Sequence, residues 1–113
     1  MTPPPSRDPI PPGTLDMLVL QTLARERELH GFEIAEAILR RSNDVLQVEE
    51  GSLYPALQRM LVKGWIQGEW GRTEGNRRAR YYRLTATGRR QLADELASYH
   101  RVAGAIACVL DIA

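Results

Sequence analysis

Ser52, Pro55 and Arg59 are spaced three and four residues apart, with Gln58 and Lys63 beside them, and Arg72, Arg77, Arg78 and Arg80 follow a short way on. Side chains of these types donate hydrogen bonds and pair with anions. None is a nucleophile set beside a base, so the chemistry on offer is recognition of a polyanion rather than bond-making. Glu49 and Glu50 invite an acid–base reading, but neighbours in sequence point different ways and nothing supplies a nucleophile, metal or phosphate loop. Cys108 and His100 are the other reactive pair. Eight residues apart on one expected helix, they lie about 12 Å apart along its axis. No catalytic residue, no metal site and no cofactor is expected.

The basic residues need elements to aim them. Gly51–Gly64 reads as one short helix: Ser52 as its cap, Pro55 in its first turn, Lys63 in the last turn and Gly64 as a left-handed stop. At 3.6 residues per turn, Leu53, Leu57, Met60, Leu61 and Gly64 share an apolar stripe. Ser52, Pro55, Arg59 and Val62 take the opposite side, flanked by Gln58 and Lys63. An ordinary amphipathic surface helix would look the same in isolation. The arginines that follow decide against it. Trp65–Trp70 and Ala79–Leu84 alternate as strands around a turn-rich Gly71–Asn76, giving a hairpin with Arg72, Arg77 and Arg78 at the tip and Arg80 just inside. Charges of one sign around one tip do not neutralise one another; they suit phosphates or a minor groove.

Ahead of these lie two helices. Thr14 is positioned to cap the first, with Leu15, Leu18, Val19, Thr22 and Leu23 as its stripe and an end near Arg27. The second spans Gly31 to Arg41, with Phe32, Ile34, Ala35, Ile38 and Leu39 apolar; His30 is assigned a turn or capping role. Asn43-Asp44 marks a turn and Val45–Val48 a single short strand. Residues 1–12, rich in proline, are expected to form a disordered arm rather than a signal peptide. After the hairpin, Thr85 caps a helix from Ala86 to about Ile112. Its Leu92, Leu96, Tyr99, Ala103, Ile106 and Leu110 follow heptad spacing, the pattern of a helix that packs along another helix, in so small a chain that of a second subunit. Val102, Cys108 and Val109 widen the stripe, consistent with this helix also packing on the first, with Cys108 expected to be a buried small hydrophobe.

The 113 residues make one domain, and a net charge of +1 hides an uneven distribution. Residues 1–50 balance at −4, residues 51–90 at +7 and residues 91–113 at −2. A basic middle between acidic flanks is a local electrostatic footprint. One cysteine permits no internal disulfide and no cysteine zinc site. No apolar run approaches the roughly 20 residues that cross a bilayer, so no membrane partner is expected and a cytoplasmic location is.

Helix, helix, short strand, basic-faced helix, arginine-tipped hairpin and long helix is the element order of a winged helix-turn-helix with a C-terminal helix added. The fold expected is therefore mainly α with a small β-hairpin: arm at 1–12, DNA-binding domain at 13–85, dimerisation helix at 86–113. Five stretches also resemble the PadR-like transcriptional regulators: Gly13–Leu20, His30–Ile34, Gly51–Leu57 with Arg59, Gly64–Ile66, and Arg77–Thr85. The Leu-Tyr-Pro-Ala-Leu and Tyr-Tyr-Arg-Leu-Thr segments carry it, and Glu49-Glu50 with the Asn-Arg-Arg-Ala wing is most similar to members common in acidobacteria. The resemblance implies a homodimeric bacterial repressor that dimerises through its C-terminal helix, in the branch with one short helix after the wing. It departs at the last helix, which offers Tyr99 but no tryptophan, and at Val62, where many relatives are acidic.

Double-stranded DNA with a palindromic operator is the expected partner, with release by a small-molecule effector included in the expectation. Ser52, Pro55, Gln58 and Arg59 are assigned to the major groove, and Tyr54, Lys63, Arg77, Arg78 and Arg80 to the backbone. The alternative is a winged helix used for protein contacts, with weak and sequence-blind DNA binding.

Overall fold

The computed structural model describes residues 7–113 of the chain. Four helices, α1 (Leu15–Arg25), α2 (Gly31–Arg41), α3 (Glu50–Val62) and α4 (Ala86–Val109), combine with five strands. Strands β1 (Asp8–Pro9) and β3 (Leu46–Gln47) pair in parallel, and β2 (Glu28–His30), β5 (Arg78–Leu84) and β4 (Ile66–Arg72) form an antiparallel sheet in that order. This is the winged helix-turn-helix with a long C-terminal helix. Its core is drawn from every layer: Val19, Leu20 and Leu23 of α1, Ile34 of α2, Leu53, Ala56, Leu57 and Met60 of α3, Ile66 of β4, and Leu92 of α4.

Three helices end the same way, and the sequence explains each stop. After α2, α3 and α4 the chain turns left-handed at Asn43 (φ 56°), Gly64 (φ 74°) and Asp111 (φ 59°). At each one the next residue's N–H reaches back: Asp44 to the Leu39 carbonyl, Trp65 to Met60 and Ile112 to Ala107. This double closure satisfies carbonyls that the helix end leaves open. It also corrects the expected end of α4 from about Ile112 to Val109, because Asp111 supplies the αL residue more often given by glycine or asparagine.

The helix starts follow less uniformly. His30 caps α2 in a reciprocal box: Glu33 N–H donates to His30 Nδ1 at 3.4 Å, and His30 N–H donates to Glu33 Oε1 at 3.1 Å. Thr85 caps α4 by accepting from Gly88 N–H at 3.0 Å, while its hydroxyl donates to the Gly64 carbonyl at 2.6 Å. Thr14 stands at the start of α1, but its hydroxyl donates backwards to the Pro11 carbonyl at 2.8 Å and caps nothing. The expected Ser52 cap is corrected too. Helix α3 begins earlier, at Glu50, and the Ser52 and Leu53 N–H groups both donate to the Glu49 carbonyl. Pro55 consequently lies past the first turn and leaves the exposed Gly51 carbonyl without its helical donor. Helix α1 ends at Arg25, two residues before the expected Arg27.

The arm is corrected in its second half. Asp8 N–H donates to the Val45 carbonyl at 2.7 Å and Asp8–Pro9 pairs with Leu46–Gln47, so this part is tied to the strand after α2. The first six residues of the expected arm lie outside the described ones. Strand β2 was not anticipated, as three residues are too few for alternation to show. Its Leu29 is buried, and it adds a third strand behind the wing.

Gly88 locks α4 against the wing base. A Cβ there would stand 2.0 Å from the Trp65 carbonyl oxygen and 2.7 Å from Leu84 Cδ1, and neither backbone nor core can move aside cheaply. Gly88→Ala is expected to lower stability by about 1–3 kcal/mol despite alanine's better helix propensity. Thermal unfolding monitored by circular dichroism measures this directly.

A candidate nucleic-acid interface on helix 3 and the wing

Because α3 buries Leu53, Ala56, Leu57 and Met60, the middle of its outward face falls on Gly51, Pro55, Gln58 and Val62, all exposed. Ser52 and Arg59 take one shoulder of this face and Tyr54 the other. Ser52 is free of the capping duty expected of it and is exposed. The Arg59 guanidinium reaches sideways to α1, where its Nη2 donates to Asp16 Oδ1 at 2.9 Å. On the other shoulder the Tyr54 ring lies on the first residue of α2. A Cβ on Gly31 would stand 2.9 Å from its Cε1 and Oη atoms. Lys63, at the C-terminal end of α3, holds its Nζ 4.6 Å from the centre of the Trp65 ring.

Strand pairing fixes which wing residues face α3. Ile66, Gly68, Trp70 and Arg72 stand opposite Leu84, Tyr82, Arg80 and Arg78. The buried Ile66 and Tyr82 mark this as the inner face. Arg78 and Arg80 therefore point back toward the helices, where Trp70 receives both, with guanidinium carbons 4.3 Å and 5.9 Å from its ring centre. Arg80 lies flat because position 68 has no side chain; a Cβ there would be 2.5 Å from its Nε. The result is an odd polar group. Arg80 Nε is buried against Gly68 and has no hydrogen-bond partner within the protein, so only the outer nitrogens of its guanidinium can meet an anion. Burial holds the neighbouring Tyr82 hydroxyl above the ordinary tyrosine value of 10.0, against an opposing pull from the Arg80 guanidinium, so it stays a neutral phenol.

At the wing tip, Arg72 and Arg78 are directly opposite, a like-charge pairing that is unfavourable unless something negative arrives. Arg72 also donates to the Asn76 carbonyl, closing the turn, and Arg77 is exposed at its edge. Between the wing and the start of α2 runs an open cleft of about 750 Å³, lined by His30, Gly31, Phe32, Tyr54, Trp70, Thr73 and the tip residues Arg77 to Arg80. Three exposed aromatics, Phe32, Tyr54 and Trp70, rim it. Among the described residues no group of His, Cys, Asp and Glu could hold a metal ion, and no helix is long and apolar enough to cross a membrane.

Residues 19–94 match the sequence profile of the transcriptional regulator PadR-like family. The chain belongs to the PadR-like family. An uncharacterised protein X of Lysinibacillus sphaericus is 33% identical over 82 residues, covering 73% of this chain and 74% of its own. The PadR family transcriptional regulator of Eggerthella lenta superposes with a TM-score of 0.74 at 27% identity, covering 89% of this chain and 85% of that one. Bacillus subtilis PadR, solved in complex with operator DNA, shares the fold at a TM-score of 0.65 and 24% identity, covering 76% of this chain and 48% of that one.

In this PadR-like chain the residues assigned from sequence do not form one uniform surface. Tyr54, Arg77, Arg78 and Arg80 gather at the cleft. Pro55 and Gln58 are on the open face of α3, Ser52 and Arg59 on its far shoulder, and Lys63 stands off against Trp65. Cleft residues outside that assignment include Trp70, expected only as a strand residue, His30, expected only in a turn or capping role, and Phe32, expected only among the apolar residues of α2. Phe32 is 63% exposed. Its angular position could have revealed this, since two residues before the buried Ile34 is roughly the opposite side of a helix.

The six residues assigned to dimerisation also divide. Leu92 is buried in the chain's own core and Leu96 packs against it, so for these two the assignment is corrected to intrachain packing. Ala103 is half-buried, whereas Tyr99, Ile106 and Leu110 are exposed, together with Val102 and Val109. Cys108 is exposed, not buried as expected, because α4 runs past the end of the core at that point.

Proposed function

We propose that this PadR-like chain is a homodimeric, sequence-specific DNA-binding repressor. In this reading the exposed front of α3 enters the major groove while the wing arginines meet the backbone of the same half-site. The observation that carries it is the gathering of Arg77, Arg78 and Arg80 with Tyr54 around one open cleft, beside a helix whose outward face is free. A phosphate would neutralise the like charges that this clustering brings together. The B-DNA major groove admits a helix, and Gln58 has the groups to pair with an adenine edge, as Arg59 has for guanine. The operator-bound state of Bacillus subtilis PadR supports the same reading by family.

Dimerisation follows from α4. Tyr99, Val102, Ile106, Val109 and Leu110 expose large apolar groups along one helix, and an exposed apolar stripe of this kind is covered by a partner. Heptad spacing points to a second copy of the same helix. Two-fold symmetry then requires a palindromic operator with half-sites about one helical turn apart. Repression by operator occupancy, relieved by a small effector, completes the reading.

Selection from a random duplex pool, followed by fluorescence anisotropy at several salt concentrations, tests it. The expected result is a palindromic consensus bound at least a thousandfold more tightly than scrambled duplex, roughly the lower end for specific regulators. Recovery of no consensus, with equal and feeble binding to all duplexes, would sink the regulator and favour a protein-contact role for the wing.

A further inference from the structure

We propose that Asp16, on α1 and outside the expected DNA surface, is a positioning residue for base recognition. It holds the Arg59 guanidinium in one pose on the shoulder of α3. The inference rests on the reading of α3 as the major-groove helix.

The pair links two helices across 43 positions of sequence, with Arg59 Nη2 donating to Asp16 Oδ1 at 2.9 Å. The two ends differ in burial. The Asp16 side chain is 23% exposed and the Arg59 side chain 53%. Asp16 stands in the first turn of α1, where the helix dipole favours its negative charge. The carboxylate is thus the fixed end and the guanidinium the aimed end. An unconstrained arginine has several rotatable bonds and can reach any nearby phosphate as readily as a base edge. One donor is engaged by Asp16, and the remaining N–H groups stay free for bidentate contact with an acceptor pair such as guanine O6 and N7.

The carboxylate's negative charge also opposes close approach of any phosphate, which weakens binding to operator and scrambled duplex alike. Discrimination therefore comes from the aim that it gives Arg59, not from its charge.

The test compares wild type with Asp16→Asn and Asp16→Glu, each measured on the selected operator and on a scrambled duplex over a range of salt, with thermal unfolding alongside. Asp16→Asn keeps the size but removes the charge. It is expected to tighten scrambled binding, steepen the salt slope by about 1.8 as both Arg59 side chains of the dimer become free for phosphate, and lower the operator-to-scrambled ratio about 5–10-fold. Asp16→Glu keeps the charge but displaces the guanidinium by one methylene. It should lower the ratio without tightening scrambled binding. In an Arg59→Ala background, Asp16→Asn should leave the ratio where Arg59→Ala alone puts it. An unchanged ratio in both Asp16 variants overturns the proposal, whether their melting temperature falls (a structural tie only) or both duplexes tighten equally (a charge effect only). A wild type with no operator preference instead fails the regulator reading itself, and the two failures are told apart by that first comparison.

Discussion

Replacing Arg77, Arg78 and Arg80 together by alanine is expected to weaken operator binding by the dimer roughly ten-thousandfold at 0.15 M salt. Each phosphate contact releases counterions and adds about 0.9 to the salt slope. Three lost contacts in each protomer, six in the dimer, therefore take about 5.4 from that slope, which at 0.15 M corresponds to a little over four decades of affinity. Scrambled duplex should lose affinity by a similar factor, since phosphate contacts position the protein without reading sequence. The fold should survive. The wing is held by its ladder, by the Tyr81 hydroxyl donating to the Arg72 carbonyl and by the Thr73–Arg77 turn bonds, which use backbone at position 77. Losing Arg80 even removes a buried, unpartnered donor. Anisotropy across salt concentrations, with a thermal melt as control, measures both effects. A slope equal to that of wild type would mean that the wing does not touch DNA.

Arg80 also shows what a sequence conveys and what it withholds. That the wing carries arginines is plain from Arg77 to Arg83, and alternation gives the hairpin. That Arg80 lies flat over Gly68 and against Trp70, facing α3 rather than solvent, depends on the register of two strands, which no local pattern specifies. Helix α2 was legible to the residue, because His30 and Glu33 form a reciprocal cap with a recognisable spacing. Helix α3 begins two residues before its expected cap, Ser52. Nothing but the backbone marks that start, and Glu49 closes it without a side-chain bond. The shift moves Ser52 into the first turn and Pro55 beyond it, changing which groups are free to meet DNA. Asp16 was invisible for a third reason: its partner is 43 residues away, and only packing of α1 on α3 brings them together. Local chemistry was readable; long-range aim was not.

The heptad of α4 illustrates the same division and leads to the second large effect. One continuous spacing covers two different jobs, since Leu92 and Leu96 fill the chain's own core while the exposed stretch from Tyr99 to Leu110 runs beyond it. Only the distal part is available to a second copy, and Ile106, 54% exposed, stands in the middle of it. Ile106→Glu should therefore leave the winged domain intact but weaken the dimer at least ~100-fold, because each interface would have to bury unpaired carboxylates. Sedimentation velocity should show a monomer at concentrations where wild type is a dimer, and circular dichroism an unchanged helix content. The effect on DNA then separates this variant from the wing triple. Each monomer keeps its arginines, so its weak binding to scrambled duplex should retain about half the wild-type salt slope, as half the phosphate contacts remain per particle. Operator binding should fall by a larger factor, because the second half-site no longer binds at the high effective concentration that the dimer provides. If Ile106→Glu instead sediments as wild type and binds the operator equally well, the distal face of α4 is not where two copies meet.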